Sequence, residues 1–400
     1  MKSIREIFRI GYGPSSSHTM GPRKAAELFL AAHPSATCYQ AHLYGSLSAT
    51  GKGHLTDAAI LEVIPSVEIV WHDEFLPFHP NGMRFCAWDA QDNLLEEWTV
   101  YSVGGGALEE DPDNSSFKIQ NSELPEVYPL TRLSDIKDYC ESQGWDYWEY
   151  VEHYEGKEIW DYLREVWQVM REAVERGLDH EGVLPGPLHL RRKAASYYIK
   201  VAAYKDNLRT RGLVFSYALA VSEENASGGK IVTAPTCGSC GVLPAVLYHT
   251  WRSRDFSETR ILHALATAGL IGNVVKENAS ISGAEVGCQG EVGVACAMAS
   301  AAVNQLFGGT LAQIEYAAEM GLEHHLGMTC DPVCGLVQIP CIERNAFAAA
   351  RALDSNMYAA FSDGSHRVSF DKVVDVMKQT GHDLPSLYKE TSQGGLAKEY

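Results

Sequence analysis

The segment from Ala295 to Ala302 contains only alanine, cysteine, methionine and serine, so a helix formed by it has no charged face. Such a helix must be surrounded by protein, because it offers water no polar side. The longest stretch of this kind, Val294 to Val303, is well short of the roughly 20 apolar residues that cross a bilayer. The segment therefore predicts a large helical bundle that encloses it.

Helical spacing of apolar residues runs through the second part of the chain, starting near residue 155, as in Trp160 to Trp167. The first part differs. A helix is predicted after Gly21-Pro22, ending near Pro34, and short β patterns follow it. These patterns cover residues 37–43, 67–70, 83–88 and 97–103, and an acidic loop with Pro112, Asn114 and Ser115 comes after them.

These patterns predict an α+β protein, with a small mixed α/β N-terminal domain followed by a large all-α C-terminal domain. We expect the first domain to cover residues 1–150 and to contribute to a substrate site. The second, residues 151–400, is expected to carry the catalytic centre, and the boundary is expected between residues 145 and 160.

The charge of the chain limits its partners. The formal net charge is −18, which repels nucleic-acid phosphates and anionic lipid heads, so we expect neither nucleic acid nor membrane as a partner. The first residues, Met1 to Phe8, include an acid and lack the apolar core of a secretory signal. A cytoplasmic protein is therefore expected.

Ten cysteines are present, and seven of them lie between Cys237 and Cys341. In a cytoplasmic chain of this size, such clustering indicates a metal site, reactive thiols or core packing. Clustered thiolates suit soft metals and iron–sulfur clusters, but the spacing matches neither a ferredoxin run nor zinc knuckles. From spacing alone, five cysteines remain open as ligands. They are Cys288, Cys296, Cys330, Cys334 and Cys341.

Long ordered motifs resemble those of one family, the iron–sulfur L-serine dehydratases (L-serine ammonia-lyases), over nearly the whole chain. Some of these motifs surround the cysteines, and others are rich in serine, glycine and histidine. The motifs are residues 13–22, 45–57, 79–85, 102–106, 233–241, 277–291, 329–335 and 336–345. The single-chain form of that family joins a smaller β-type domain to a large helical one.

The resemblance implies that Cys288, Cys330 and Cys341 hold a [4Fe–4S] cluster, and that L-serine is converted into pyruvate and ammonia. Three ligands for four irons would leave one iron with an open position, as in catalytic metal sites. That iron would act as a Lewis acid on the serine hydroxyl. The C-terminal tail resembles the family's, but it contains no cysteine.

The segment Ser15-Ser16-Ser17-His18-Thr19 precedes a Gly-Pro helix start. An N-cap would explain one hydroxyl, because hydroxyls satisfy free backbone donors there. Three serines and a histidine exceed that need, and with the resemblance we expect Ser15, Ser16, Ser17 and Thr19 to bind substrate. His54, which follows the glycine-containing segment Gly51-Lys52-Gly53, is the first candidate for the catalytic acid or base, and His18 is the second.

The motif from Pro235 to Gly241 contains Cys-x-x-Cys, but its helical surroundings do not suit a thioredoxin-like role. Its glycine and hydroxyl residues suit a helix N-terminus that holds a carboxylate. We expect four of its residues to bind substrate, namely Thr236, Cys237, Gly238 and Ser239.

Two alternatives remain open. One is a related iron–sulfur lyase that acts on cysteine or another small acid. The other is a redox sensor without catalytic activity, whose cluster would take a fourth thiolate from Cys296 or Cys334. Pyridoxal phosphate is not expected, because Lys52, Lys193, Lys230 and Lys276 all lack the sequence context of a Schiff-base lysine. With apolar helix faces and the resemblance, a homodimer is expected.

Overall fold

The computed structural model describes residues 1–111 and 126–399. The predicted loop with Pro112, Asn114 and Ser115 lies outside them. The confirmed fold class is α+β, in which a mixed sheet with helices precedes a largely helical region. The division into domains at residue 150 remains a prediction.

A five-stranded sheet forms the first part, in the spatial order β3-β2-β4-β5-β6. β2 pairs with β3 in parallel, and the other neighbours are antiparallel. Residues alternate along β2, with Tyr39, Ala41 and Leu43 buried, which is why the sequence pattern identified the strand. The strands are β2 (Cys38–Tyr44), β3 (Glu68–His72), β4 (Gly82–Trp88), β5 (Leu94–Ser102) and β6 (Leu108–Glu109), all five lying in the first part.

Two helices cover the sheet, α1 (Gly21–Ala32) and α3 (Thr56–Val63), while the short α2 (Ser46–Thr50) follows β2. Phe29 of α1 is fully buried, with its ring centroid 5.5 Å from that of Phe85 and 6.1 Å from that of Trp98. The helix predicted after Gly21-Pro22 is thus confirmed as α1, as are the four predicted strands.

The helical part surrounds α12 (Val292–Leu306), in which 14 of 15 residues are buried. Helices α9, α10, α13 and α14 pack against it, so the predicted enclosure of this helix is confirmed. Small side chains allow the close approach of so many neighbours. The other helices of this part are α4 (Leu133–Gln143), α5 (Tyr147–Glu155), α6 (Ile159–Asp179), α7 (Ala194–Val201), α8 (Asp206–Ala226), α9 (Val242–Arg254), α10 (Glu258–Asn278), α11 (Gly283–Val286), α13 (Leu311–Glu323), α14 (Cys341–Ala360) and α15 (Phe370–Asp383).

The predicted change to helices near residue 155 is wrong, because α4 begins at Leu133. α5 is rich in tyrosine and tryptophan, which favour strands by propensity. A capping box between Asp146 and Glu149 starts this helix, and Tyr147, Tyr150 and Val151 form its buried stripe. Tertiary burial therefore outweighs the local propensity.

Both ends of the chain connect the sheet to the helical part. The first eight residues pack into the helical core, and β1 (Ile10–Tyr12) pairs with β7 (Lys230–Val232). At the other end, the tail after α15 forms two short 3-10 turns, Ser386–Tyr388 and Gly395–Glu399. Across the described ranges, no helix is both long and apolar enough to span a bilayer.

Candidate active site

The serine-rich segment before α1 forms one turn of π-helix, Ser16–Met20. Ser15 Oγ accepts a hydrogen bond from the backbone N–H of His18 at 3.0 Å, which is the capping role. Ser17 Oγ lies 2.9 Å from His18 Nδ1. The whole stretch is buried, comprising Ser15, Ser16, Ser17, His18 and Thr19. Its hydroxyls therefore position His18.

His54 lies beside His18, with ring centroids 4.5 Å apart and ring planes at 50°. Thr19 Oγ1 donates a hydrogen bond to the His54 carbonyl at 2.6 Å. The structure thus brings the two predicted catalytic histidines together, although one precedes α1 and the other follows α2.

The tautomer of His54 follows from its neighbour Thr50. Thr50 Oγ1 donates its single hydrogen to the Ser46 carbonyl at 3.0 Å. It must therefore accept from His54 Nδ1–H, which lies 3.0 Å away. In the part of the chain that the structure describes, His54 Nε2 forms no hydrogen bond, so its lone pair is available.

The same reasoning fixes His18. Ser46 Oγ donates to the Glu390 carbonyl at 2.8 Å, so it accepts from His18 Nε2–H at 3.1 Å. His18 Nδ1 is then the unprotonated nitrogen, and it accepts from the hydroxyl of Ser17.

Burial sets the charge of both imidazoles. It lowers the pKa of His54 to about 3. It also lowers the pKa of His18 well below its usual value, and the neighbouring His54 lowers that pKa further. Both rings are therefore neutral near pH 7, and a neutral imidazole can accept a proton.

The C-terminal tail reaches this site. Glu390 Oε1 lies 3.5 Å from His18 Nδ1, and the Glu390 side chain is only 8% exposed. His18, His54 and Glu390 each offer an atom within 4.8 Å of the others. The sequence had left open whether the tail enters the site, and Glu390 had not been singled out.

The three cysteines expected as ligands come from separate elements and are all buried. Cys288 begins a 3-10 turn, Cys330 lies in the loop after α13, and Cys341 is the first residue of α14. The Cys330 side chain, hydrogen-bonded to Cys288, and the Arg344 guanidinium lower the pKa of Cys288 to about 6. The hydrogen bond with Cys288, together with burial, raises the pKa of Cys330, and burial together with the charge of Cys288 raises the pKa of Cys341. The three thiols therefore lie close enough to interact.

This donor set fits an iron–sulfur cluster. Three soft sulfur ligands converge in a buried region, as such clusters require. Arg344 places a positive charge among them, and its guanidinium is anchored to the Thr329 carbonyl at 2.7 Å. A side chain at Gly283 would press on the thiol, since a Cβ there would lie 3.2 Å from Cys330 Sγ.

Comparisons with known proteins agree with these features. The family model described as serine dehydratase alpha chain matches residues 87–397, and the beta-chain model matches residues 3–64. The chain belongs to the serine dehydratase family. It is 42% identical to the L-serine dehydratase TdcG of Escherichia coli (strain K12), over 99% of both chains. The L-serine dehydratase of Streptomyces coelicolor is 41% identical, over 99% of this chain and 98% of that one. The corresponding protein of Helicobacter pylori is 37% identical over the same shares. The resemblance seen in the motifs is confirmed.

Glu291 connects the motif around Thr236 to the cysteines. Thr236 Oγ1 donates to Glu291 Oε1 at 2.7 Å, and Glu291 Oε2 lies 3.9 Å from Cys330 Sγ. Burial and the charge of Cys288 raise the pKa of Glu291 to about 8. A Cβ at Gly238 would lie 2.9 Å from Glu291 Oε1, so any larger residue there would displace this carboxylate.

The other expected substrate-binding residues of this motif contact protein groups. Ser239 Oγ lies 3.1 Å from Thr236 Oγ1, and the Cys237 thiol donates to Met20 Sδ at 3.5 Å. At the start of α9, the backbone N–H of Gly241 is already bonded to Asn345 Oδ1 at 2.9 Å. That donor is not free to hold a carboxylate.

The two candidates for a fourth thiolate lie in different surroundings. The Cys296 thiol donates to the Ala348 carbonyl at 3.4 Å inside the helical core, and burial raises its pKa to about 12. Cys334 is exposed. Neither position resembles the buried, charged surroundings of Cys288.

Sequence reasoning did not single out three charged residues of the site, Arg344, Glu291 and Glu390. Two of them carried a local signal, because Arg344 follows Cys341 by three residues and Glu291 follows Cys288 by the same interval. A residue three positions further along a helical turn lies on the same face. Glu390 carried no such signal.

Proposed function

We propose that this chain is an iron–sulfur L-serine dehydratase that converts L-serine into pyruvate and ammonia. The observation that carries the proposal is the convergence of three buried thiols and two buried neutral histidines in a serine dehydratase family member. The printed names of the relatives supply the substrate.

We assign Cys288, Cys330 and Cys341 as the ligands of a [4Fe–4S] cluster. Three thiolates for four irons would leave one iron open, and that iron would supply a Lewis acid for the departing hydroxyl of serine. Arg344 offsets part of the negative charge that the thiolates bring into the buried region.

His54 is the proposed base for the α-proton. Its Nδ1–H is held by Thr50, its Nε2 lone pair is available, and burial keeps the ring neutral. Transfer of the α-proton to Nε2 and loss of the hydroxyl give aminoacrylate. Aminoacrylate tautomerises to an imine, and water hydrolyses the imine to pyruvate and ammonia without further help from the enzyme.

The hydroxyl residues would serve in two ways. Ser15, Ser17 and Thr19 hold the histidines through the hydrogen bonds described above, and this support fixes the geometry of the base. Substrate contacts by the four hydroxyl residues from Ser15 to Thr19 and by the residues from Thr236 to Ser239 remain proposals. Thr236 would act through the carboxylate of Glu291.

Turnover by protein purified and reconstituted without oxygen tests this function. Pyruvate should form from L-serine faster than 2-oxobutanoate forms from L-threonine or pyruvate from L-cysteine. Preference for L-cysteine would favour the related lyase. Absence of turnover in a protein loaded with about four irons per chain would refute the dehydratase and favour a sensor.

We further propose a homodimer. Apolar side chains stand exposed on the packed helices α7, α8 and α14, including Ile199 at 67%, Leu208 at 66% and Phe347 at 70%. An apolar groove of about 420 Å³ lies between α8 and α14. Exposed apolar area of this kind marks an interface, and a second copy of the chain would cover it.

A cytoplasmic location is also proposed. All ten cysteines are free, which fits a compartment that keeps thiols reduced and available to iron.

A further inference from the structure

The backbone of Glu390 is fixed from two sides. Its N–H donates to the Cys330 carbonyl at 2.8 Å, and its own carbonyl accepts from Ser46 Oγ at 2.8 Å. Its φ angle is +59°, a left-handed conformation that is uncommon for a residue other than glycine. These contacts direct the side chain into the space beside His18 and His54.

The carboxylate of Glu390 differs in its partners from two other buried acids, Glu224 and Glu315. Glu224 is paired with Arg176 and Arg192, and Glu315 is paired with Lys137. Within residues 1–111 and 126–399, no lysine or arginine nitrogen lies within 4.0 Å of the Glu390 carboxylate. Burying a carboxylate without a cation is costly, and burial raises the pKa of Glu390 well above its usual value. The site as it stands therefore lacks a cation that would keep this side chain ionised.

The atom that faces Glu390 also lacks a hydrogen to give. His18 Nδ1 is the unprotonated nitrogen of its ring, because Nε2–H is bonded to Ser46. His18 Nδ1 already accepts from the Ser17 hydroxyl at 2.9 Å, so it offers no donor to Glu390 Oε1, which lies 3.5 Å away. Within the described residues, no donor is bonded to the side-chain oxygens of Glu390, and a cationic group with several N–H donors would satisfy them.

We propose that the Glu390 carboxylate accepts the α-ammonium group of the substrate and so selects an amino acid over the matching hydroxy acid. This inference rests on the proposed function. Of the three polar groups of L-serine, the hydroxyl and carboxylate suit a Lewis acid, whereas the ammonium requires an anion. Glu390 supplies that anion, and its backbone is bonded to a proposed cluster ligand, Cys330.

Two unreactive ligands of nearly equal shape test the assignment. L-alanine carries the ammonium, L-lactate carries a hydroxyl in its place, and neither has the hydroxyl that is eliminated. Their affinities for the anaerobic holoenzyme are measured by titration calorimetry, with Glu343→Gln as the matched control. Glu343 is likewise an acid near a proposed ligand, two residues after Cys341, but it is exposed and pairs with Lys193 at 2.9 Å.

In Glu390→Gln, the affinity for L-alanine should fall about 10- to 100-fold, as expected for loss of a charge-assisted hydrogen bond, while that for L-lactate changes less than about threefold. Glu343→Gln should leave the ratio of the two affinities close to that of the wild type. Equal weakening of both ligands in Glu390→Gln, or an unchanged L-alanine affinity, would overturn the assignment.

A second variant covers the case in which Glu390→Gln does not retain iron. Glu390→Asp keeps the charge but withdraws it by one methylene, so the affinity for L-alanine should fall more than the affinity for L-lactate. An equal fall in both affinities would count against the proposal. One extra divalent metal per wild-type chain, absent from the Glu390 variant, would instead identify Glu390 as a metal ligand and overturn the proposal.

Failure of the wild type to form pyruvate from L-serine would refute the function itself. An active wild type together with unaltered selectivity in Glu390→Gln would refute only this inference.

Discussion

His18 Nδ1 lies 3.5 Å from Glu390 Oε1, so residues near the two ends of the chain meet in one site. Ser46 connects them as well, accepting from His18 Nε2–H and donating to the Glu390 carbonyl. The sheet part therefore supplies histidines to a region whose cysteines come from the helical part. Catalysis by this arrangement requires the sheet part and the helical part to keep their relative positions.

Replacing Cys341 with serine should remove the cluster and at least 99% of the activity, since a serine hydroxyl is a poor ligand for this soft site. Iron and sulfide content, cluster absorbance and pyruvate formation measure the effect. Cys334→Ser is the matched control, because Cys334 is exposed in the loop that follows Cys330. Normal iron in Cys341→Ser would disprove the ligand assignment, and loss of iron in Cys334→Ser would support the sensor with a fourth thiolate.

Replacing His54 with alanine should leave cluster absorbance intact while lowering kcat by about 10²- to 10⁴-fold, the usual contribution of a positioned general base. The cluster is retained because His54 is not among its proposed ligands. His324→Ala, a change on the exposed end of α13, serves as the control and should keep normal turnover. Turnover at the wild-type rate in His54→Ala would exclude this residue as the base.

The pH profile of the enzyme should lack the acid limb typical of an ordinary histidine base. Burial lowers the pKa of His54 from 6.5 to about 3, and only the unprotonated ring accepts the α-proton. Protonation therefore removes activity as the pH falls toward about 3, and kcat/KM should vary less than about threefold between pH 5.5 and 6.5. The iron content of each sample is checked in parallel. A one-proton decrease centred near pH 6.5 would contradict the account.

The exposed apolar helices predict that two chains associate. Light scattering should give twice the chain mass of 44.0 kDa for the wild type. The double change Leu208→Glu and Phe347→Glu should give a monomer, because it places charges on the surface that would otherwise be buried. Leu94→Glu, on an exposed position of β5, is the control and should remain dimeric. A wild-type monomer would exclude the homodimer.

Local patterns were enough to predict much of the fold. Alternation in β2 and the all-apolar α12 both reflect burial that is visible along a few consecutive residues. The local patterns did not predict α4 and α5, because a capping box and packing against the helical core decide their conformation. The pairing of β1 with β7 joins residues far apart in the chain, which local patterns do not record.

The site was predictable to a similar degree. His18 and His54 were expected together, and the structure brings their rings to 4.5 Å. The resemblance rather than spacing selected the three cysteines, whose burial and mutual influence now support that selection. Glu390 was missed because only tertiary contacts of the tail, such as its hydrogen bond to the Cys330 carbonyl, place it there.

The central claim, that a cluster held by three cysteines is required for turnover, is tested most directly by graded anaerobic reconstitution. Samples loaded with increasing iron and sulfide are assayed for L-serine-dependent pyruvate formation at a fixed protein concentration. We predict activity that rises in proportion to bound iron and levels off at about four irons per chain. Activity in iron-free protein, or a fully loaded protein without activity, would contradict the account.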